Sequence, residues 1–553
     1  IFRLGLPAFS PGVLLPFRHL LPVAVLLCPL NLTAQTNVDS ATSGDSALVD
    51  SALVIHRVQL IRRDIFDPNE RSWVARMGNK LHFQTRAPVI RREVLLRPGQ
   101  LYDSALVAES ERNLRSMGIF RRVQIDSVRT DSGLVLRVLT KDGWSTQLDW
   151  RFRSTGGEVA FTLGMVETNL LGTASSAAIR YRNDPDRNSI ALGFRRRRLF
   201  AGTVGLELGY ENRSDGRLSG VAIERPFFAT TTPNAFRLSA VDNDVRVLRF
   251  FEGEDLARDT LSRRFSLARA SYSWALRAAT TGYLRLGLTG QIRRDDALEF
   301  SSAEPFPKTV TGAVGSYLIW NQSRFLVTQG FAGFAREEDV DVGTTVRIGL
   351  QVAPGLFGYE RDGLGPEVSA RVGSRIPGGF GYLDGFADGL FTSAGLDSGT
   401  VQVGGTVVLQ PAARHLAVFH LEAGWLEDPV PGEEFDLGLG SGPRAFGSHS
   451  FTGDRSFFTT AEYRYTMVDD LWGQAGIGLA GFVDYGGAWY SGSPRRTGWD
   501  AGVGLRLGAS RSTDVPALRF DLAHRFANDV DSAGWVITIG KGFGFGAPTR
   551  GLN

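Results

Sequence analysis

Sulfur is almost missing from this chain of 553 residues, which has one cysteine and four methionines. The cysteine, Cys28, lies inside the apolar run Leu20 to Leu30. An intrachain disulfide framework and a cysteine-ligated metal site are therefore excluded. Beyond that run no stretch reaches the roughly 18 consecutive apolar residues of a membrane-spanning helix. Strands of a membrane barrel carry a much weaker hydropathy signal and are not excluded. An excess of one charge is also lacking: 61 basic against 58 acidic residues give +3, too little at this size to imply a nucleic-acid partner. Catalytic constellations are missing too, with no G-x-S-x-G elbow, P-loop, H-E-x-x-H or Cys/His metal spacing. Asp521 and His524 sit close on one run, but their odd spacing points them to opposite faces of a strand. The expectation is a protein that is not an enzyme and has no cofactor or metal.

Glycine (66) and phenylalanine (36) are plentiful, and from Gly143 to Phe545 the chain is a succession of alternating runs split by turn residues. Clear examples are Val159 to Glu167, Thr203 to Asn212, Tyr283 to Ile292, Val401 to Gln410 and Leu518 to Arg525. At roughly 25 residues per strand and connection, the region predicts about sixteen strands, an even number as single-chain barrels require. The alternating runs themselves number nearer nineteen. The expected fold is a transmembrane antiparallel β-barrel over 143–546, with a short tail at 547–553. Arg195 to Arg198, four arginines at a strand end, are read as interfacial anchors, two inward and two outward.

Ahead of the barrel, Arg18 and His19, the apolar run and Leu32-Thr33-Ala34 read as a signal peptide over 1–34. Residues 35–53 are small and polar, a flexible leader. From Val54 the pattern becomes a strand, a segment Val89 to Leu96, a helix Ser104 to Met117 stopped at Gly118, and two strands, Phe120 to Val128 and Leu134 to Leu139. Leu106, Leu114 and Met117 are its candidate core residues. This β-α-α-β-β order, with LRPGQLYD before the second helix and LRSMGIFRRVQI after it, resembles a single POTRA domain over 54–142. A long insertion follows its first strand, with room for an extra helix against the barrel mouth.

The most informative stretch runs from Leu437 to Trp489. A Gly/Ser/Pro-rich loop carrying Arg444 precedes two alternating runs, Phe457 to Tyr465 and Gln474 to Asp484. Parity puts Phe457, Thr459, Tyr463 and Tyr465 on one face and Thr460, Glu462 and Arg464 on the other. On the second run Ile477, Leu479 and Val483 oppose Gly476, Gly478, Phe482 and Asp484. Glu462 and Asp484 thus point to one polar side, the lumen of a barrel, where a loop arginine folded inward meets both with charge-assisted bonds. PRAFG, GDRSFFTTAEYRY and GFVDYGGAW, together with ETNLLGTASSAAIRY early in the barrel, resemble the BamA/TamA superfamily of outer-membrane assembly factors, the bacterial surface antigen barrels.

The resemblance implies a lumenal loop around 437–455, locked by Arg444 and Phe446 against Glu462 and Asp484, with structural turns at Gly172, Gly447 and Gly486. Pro443 and Ala445 depart from the family's V-R-G-F/Y motif. It also implies an outer-membrane location with the POTRA domain in the periplasm, and insertion or export of unfolded outer-membrane or secreted client polypeptides. Outer-membrane lipid and lipopolysaccharide, periplasmic chaperones and accessory lipoproteins are the implied partners. A dedicated secretion pore or a lipid-export relative is the second reading, and a passive porin the third.

Overall fold

The computed structural model describes residues 54–541 except 68–72, 132, 156–157, 185, 200–201, 230, 250–258, 297–298, 301–308, 330, 332–336, 430–432, 439–441, 473–474, 510–516 and 527–528. The expected signal peptide, leader and C-terminal tail lie outside the described residues, as do positions 542–546 of the barrel span.

The N-terminal domain consists of β1 (Ile55–Arg63), α1 (Trp73–Leu81), α2 (Ala87–Glu93), α3 (Ser104–Arg115), β2 (Phe120–Thr130) and β3 (Gly133–Asp142). Its sheet runs β1-β3-β2, with β1 parallel and β2 antiparallel to β3. Asp103 starts α3 by accepting hydrogen bonds from Ala105 N (2.8 Å) and Leu106 N (3.2 Å), which satisfies two helix-end donors. Gly118, at φ +66°, ends the segment in the left-handed region. Leu114 is fully buried with Ile55, Ile90 and Leu136, and Leu106 and Met117 pack on the edge of that cluster. The long insertion does contain an extra helix, α1. Its following segment meets the barrel: Asn169 Nδ2 donates to Thr85 Oγ1 (2.9 Å), and Thr85 N donates to the buried Asp142 carboxylate (2.7 Å).

Twenty strands close the barrel among the described residues: β4 (Thr146–Thr155), β5 (Glu158–Glu167), β6 (Ser175–Asn183), β7 (Asn188–Arg196), β8 (Gly205–Arg213), β9 (Gly216–Arg225), β10 (Asn234–Arg249), β11 (Asp259–Ala279), β12 (Gly282–Asp295), β13 (Thr309–Gln322), β14 (Thr344–Ala353), β15 (Gly363–Ile376), β16 (Gly379–Thr392), β17 (Gly395–Leu409), β18 (His415–Glu427), β19 (Arg455–Leu471), β20 (Ala475–Trp489), β21 (Gly498–Ala509), β22 (Leu518–Arg525) and β23 (Gly534–Lys541). Every neighbouring pair is antiparallel. The count exceeds the expected sixteen because several hairpins, such as Pro377-Gly378 between β15 and β16, spend two residues on the turn. Such tight hairpins shorten the repeat.

Alternation sorts the side chains. Leu479, Val483, Trp535 and Ile537 are exposed on the outer face, whereas Glu462, Asp484 and Asp521 are buried inside. Because β4 begins beside the N-terminal domain, odd-numbered turns lie at the far end and even-numbered ones at the domain end. Thr466 to Leu471 extend β19 through two bulges. Between β13 and β14 a hairpin pairs Phe325–Gln329 with Glu337–Asp341. It packs inside the domain-end mouth, with Val342 against Phe380, Val408 and Val418.

Two members of the arginine run are held by acids of the protein itself. Arg195 faces the lumen and pairs with Glu207 at 3.0 Å, while Arg198 grips Glu93 of α2 through Nε (2.7 Å) and Nη2 (3.1 Å). Glu93 is 1% exposed, so this fork neutralises a carboxylate that burial would otherwise strand. Arg198→Ala is expected to weaken seating of the domain on the barrel by about 3–5 kcal/mol, the scale for breaking a buried pair. Faster limited proteolysis around residues 143–145, with the barrel still resistant, is the readout.

Candidate functional site: an arginine-locked loop in the lumen

The connection from β18 to β19 leaves the far end of the barrel and folds back into it. A short ladder, Phe435–Leu437 with Phe451–Gly453, pinches its base. At its tip Arg444 is 6% exposed, amid carboxylates at 0–2%. Its Nε and Nη2 make a fork on Asp484 at 2.6 and 3.2 Å, and Nη1 reaches Glu462 Oε2 (3.1 Å) and Asp521 Oδ2 (3.2 Å). The guanidinium carbon lies 3.6 Å from the centroid of the Phe482 ring, a cation–π seat. Arginine suits this place because its planar fork meets several carboxylates at once.

The tip is held by its backbone as well. Ala445 N donates to Asp500 Oδ2 at 2.9 Å, and Ala445 O accepts from Arg525 Nη1 at 3.4 Å. Ala445 has no positive φ, so alanine fits where a glycine is the family's residue. Phe446 is fully buried with Leu437, Phe451 and Ala488, and its ring centroid is 5.0 Å from that of Phe451.

Arg444, Phe446, Glu462 and Asp484 therefore come together, and parity assigned the two strand acids to the correct side. Other members were missed. Arg464 Nε donates to Glu462 Oε1 at 2.6 Å, and Arg506 bridges Glu462 and Asp521. Asp500, Asp521 and Arg525 complete the enclosure, with Arg519 alongside at 4.0 Å from Asp521. The alternation Arg519, Asp521, Ala523, Arg525 on β22 was the signal available for these residues. His524, on the opposite parity, stacks edge-on with Trp535 on the outer face, so no Asp521–His524 dyad forms.

The three glycines play different parts. Gly172 (φ +72°) is a true turn glycine, and a Cβ there would lie 2.5 Å from the Gln84 carbonyl oxygen of the N-terminal domain. Gly447 sits in the tucked loop, where its carbonyl accepts from Ser450 Oγ at 3.1 Å. Gly486 is not in a turn but inside β20, where a Cβ would meet the Phe457 carbonyl at 2.5 Å. Close approach, not turn geometry, calls for glycine there.

At the far rim His449 joins the loop to the first strands. Nδ1 is 2.7 Å from Asp436 and Nε2 3.0 Å from Asp186, in the β6–β7 connection. Burial opposes the charged ring, but the two aspartates outweigh it and His449 is pushed up to about 10. A raised folded-state pKa stabilises fully below the unfolded value of about 6.5 and is lost as pH climbs through about 10. Protease access to residues 437–450 is accordingly expected to rise between these limits, and His449→Gln to abolish that pH dependence.

Removing Arg444 leaves buried carboxylates facing one another. Arg444→Ala is expected to cost about 3–5 kcal/mol, and Arg444→Lys to recover only part, since an ammonium cannot fork. The shift of the folded band in unheated gel electrophoresis and the thermal midpoint measure this.

Residues 78–140 match the POTRA family, described as the surface antigen variable number repeat. Over 137 residues the chain is 31% identical to the outer membrane protein assembly factor BamA of Neorickettsia risticii (strain Illinois). That match takes in 24% of this chain and spans 18% of the length of that relative. Among solved structures, BamA from Haemophilus ducreyi lacking POTRA domains 1–3 aligns over 88% of this chain and 84% of its own, at 12% identity and a TM-score of 0.38. CdiB from Escherichia coli aligns over 89% and 77%, at 13% identity and a TM-score of 0.46. The segment that matches the POTRA family thus stands directly ahead of a closed antiparallel β-barrel.

Proposed function

We propose that this protein inserts or exports client polypeptides at the outer membrane, with its POTRA domain in the periplasm receiving them. The observation that carries the reading is the seam between the first and last strands. One register pair, Thr538 with Arg153, joins β23 to β4 among the described residues, whereas β22 and β23 pair over eight. Unpaired backbone N–H and C=O groups at such a seam are a template for an incoming strand. The locked loop keeps the rest of the wall in register while the seam remains weak.

The lumen is occupied by the Arg444 loop and, at the domain end, by the hairpin of residues 325–341. That filling disfavours a passive pore. The chemistry needed is hydrogen bonding and apolar burial, without a catalytic step or cofactor. Chaperones or accessory lipoproteins would meet the POTRA face.

Cysteines at 153 and 538 place a cross-link at the one seam pair. The oxidised double variant is expected to fold and reach the membrane yet lose client assembly, and reduction to restore it; full activity when oxidised would refute the seam. Outer-membrane proteomics after depletion separates the client ranges. A broad fall in barrel proteins marks general insertion, loss of a few surface proteins marks dedicated export, and an unchanged proteome removes the polypeptide reading.

A further inference from the structure

The outer wall over β6 to β12 carries a groove of about 800 Å³, within the roughly 300–1,000 Å³ of small-molecule sites. Its lining follows the strand register. One row across the wall runs Phe194, Leu208, Val221, Ala240, Ala268, Ile292, each the partner of the next. Large side chains stand at both ends and alanines in the middle, so the surface is hollowed between them. Behind it Gly193, Gly209 and Gly220 form one register row facing the lumen. No side chain thickens the wall there.

Toward the far end the rows change character. Ser219, Asp242, Ser266 and Arg294 come next, and then Arg217, Asp244 and Arg264, with Asp296 beside Arg264. All are on the outward parity. Charged side chains do not belong against hydrocarbon, so these rows mark the level of the lipid headgroups. The arginines there are loosely held. Arg264 is 3.8 Å from Asp242 and 3.7 Å from Asp296, and Arg294 is 3.4 Å from Asp296, beyond good hydrogen-bond length. Their N–H groups keep capacity for a phosphate, and the interleaved aspartates accept from hydroxyl or amide donors.

We propose that this groove is a binding site for a phosphorylated glycolipid of the outer leaflet, one acyl chain lying over Ala240 and Ala268 and a headgroup phosphate on Arg264 and Arg294. Charge complementarity selects the occupant. A headgroup with both phosphate and sugar donors answers arginine and aspartate together, whereas a simple phospholipid engages the arginines alone. The site rests on the outer-membrane orientation proposed above and not on whether the barrel handles polypeptides.

The test is native mass spectrometry of the full-length protein in detergent, delipidated and titrated separately with bisphosphorylated hexa-acyl lipid A and with phosphatidylethanolamine. Wild type is expected to retain lipid A roughly tenfold better than phosphatidylethanolamine, a preference of the size one good interaction gives. Ala240→Phe and, as a milder filling, Ala268→Leu should abolish retention of both lipids. Arg264→Gln with Arg294→Gln should erase the preference while acyl binding persists. Ala423→Phe, an outward alanine on β18 away from the groove, is the control and should change nothing. Equal retention of the two lipids, retention undiminished by groove filling in a barrel with an unshifted folded band, or equal loss in the Ala423 control would each overturn the proposal.

Discussion

Everything in the lumen depends on the need to neutralise carboxylates removed from water. Glu462, Asp484 and Asp521 are essentially inaccessible, and each would be costly alone. Arg444 touches all three, yet it is delivered by a loop and not by the wall. The strands therefore cannot reach their lowest free energy until the loop has entered. Loop insertion therefore lowers the free energy of the closed barrel, and it explains why Pro443 to Phe446 lie buried instead of in solvent. Arg464 and Arg506 are wall residues that share the same acids, so the cluster is near balance even though every member is buried. The Phe482 ring covers the guanidinium, and Phe446 is buried beside the loop tip with Leu437 and Phe451, so water is kept from competing for the ion pairs.

Parity along single strands was sufficient to read half of this site. It identified the inward face of β19 and β20, and it put Glu462 and Asp484 there before any contact was known. It did not identify Asp500, Asp521, Arg506 or Arg525, although the same alternation was present on β21 and β22. Parity assigns a face; the height at which residues on different strands meet is set by register, and register depends on bulges and turn lengths summed along the wall. The bulges in β19 after Thr466 are of that kind. Strand number failed for a related reason, since two-residue hairpins look like interruptions within one long strand. The short α+β unit was more legible because its caps and breaks, Asp103 and Gly118, are local.

Arg195 to Arg198 illustrate the opposite limit. Four like charges at a strand end have an obvious reading at a membrane interface, and nothing nearby in sequence contradicts it. Arg198 and Arg197 turn instead to Glu93, about a hundred residues earlier, buried at the end of α2. A buried acid needs a base, but neither residue's burial is visible without the docking of the domain on the barrel. The same docking explains the insertion after β1. Thr85 joins Asn169 of the first domain-end turn to Asp142 at the close of β3, so the segment that lengthens the POTRA unit is also its attachment to the wall.

The two ends of the lumen are linked through the hairpin between β13 and β14. On one side Asp339 accepts from Arg115 of α3 at 2.7 Å. On the other the Phe331 carbonyl accepts from Arg464 Nη1 at 3.2 Å, and Arg464 is itself fixed on Glu462. Polar contacts on both sides of the hairpin thus lead from the N-terminal domain to the acid that holds Arg444. The ends of this series are charge-assisted pairs, and its middle combines the bond to the Phe331 carbonyl with packing of the Phe331 ring on Phe380 of the wall. The hairpin is therefore the element through which a shift of the N-terminal domain would reach the Arg444 cluster.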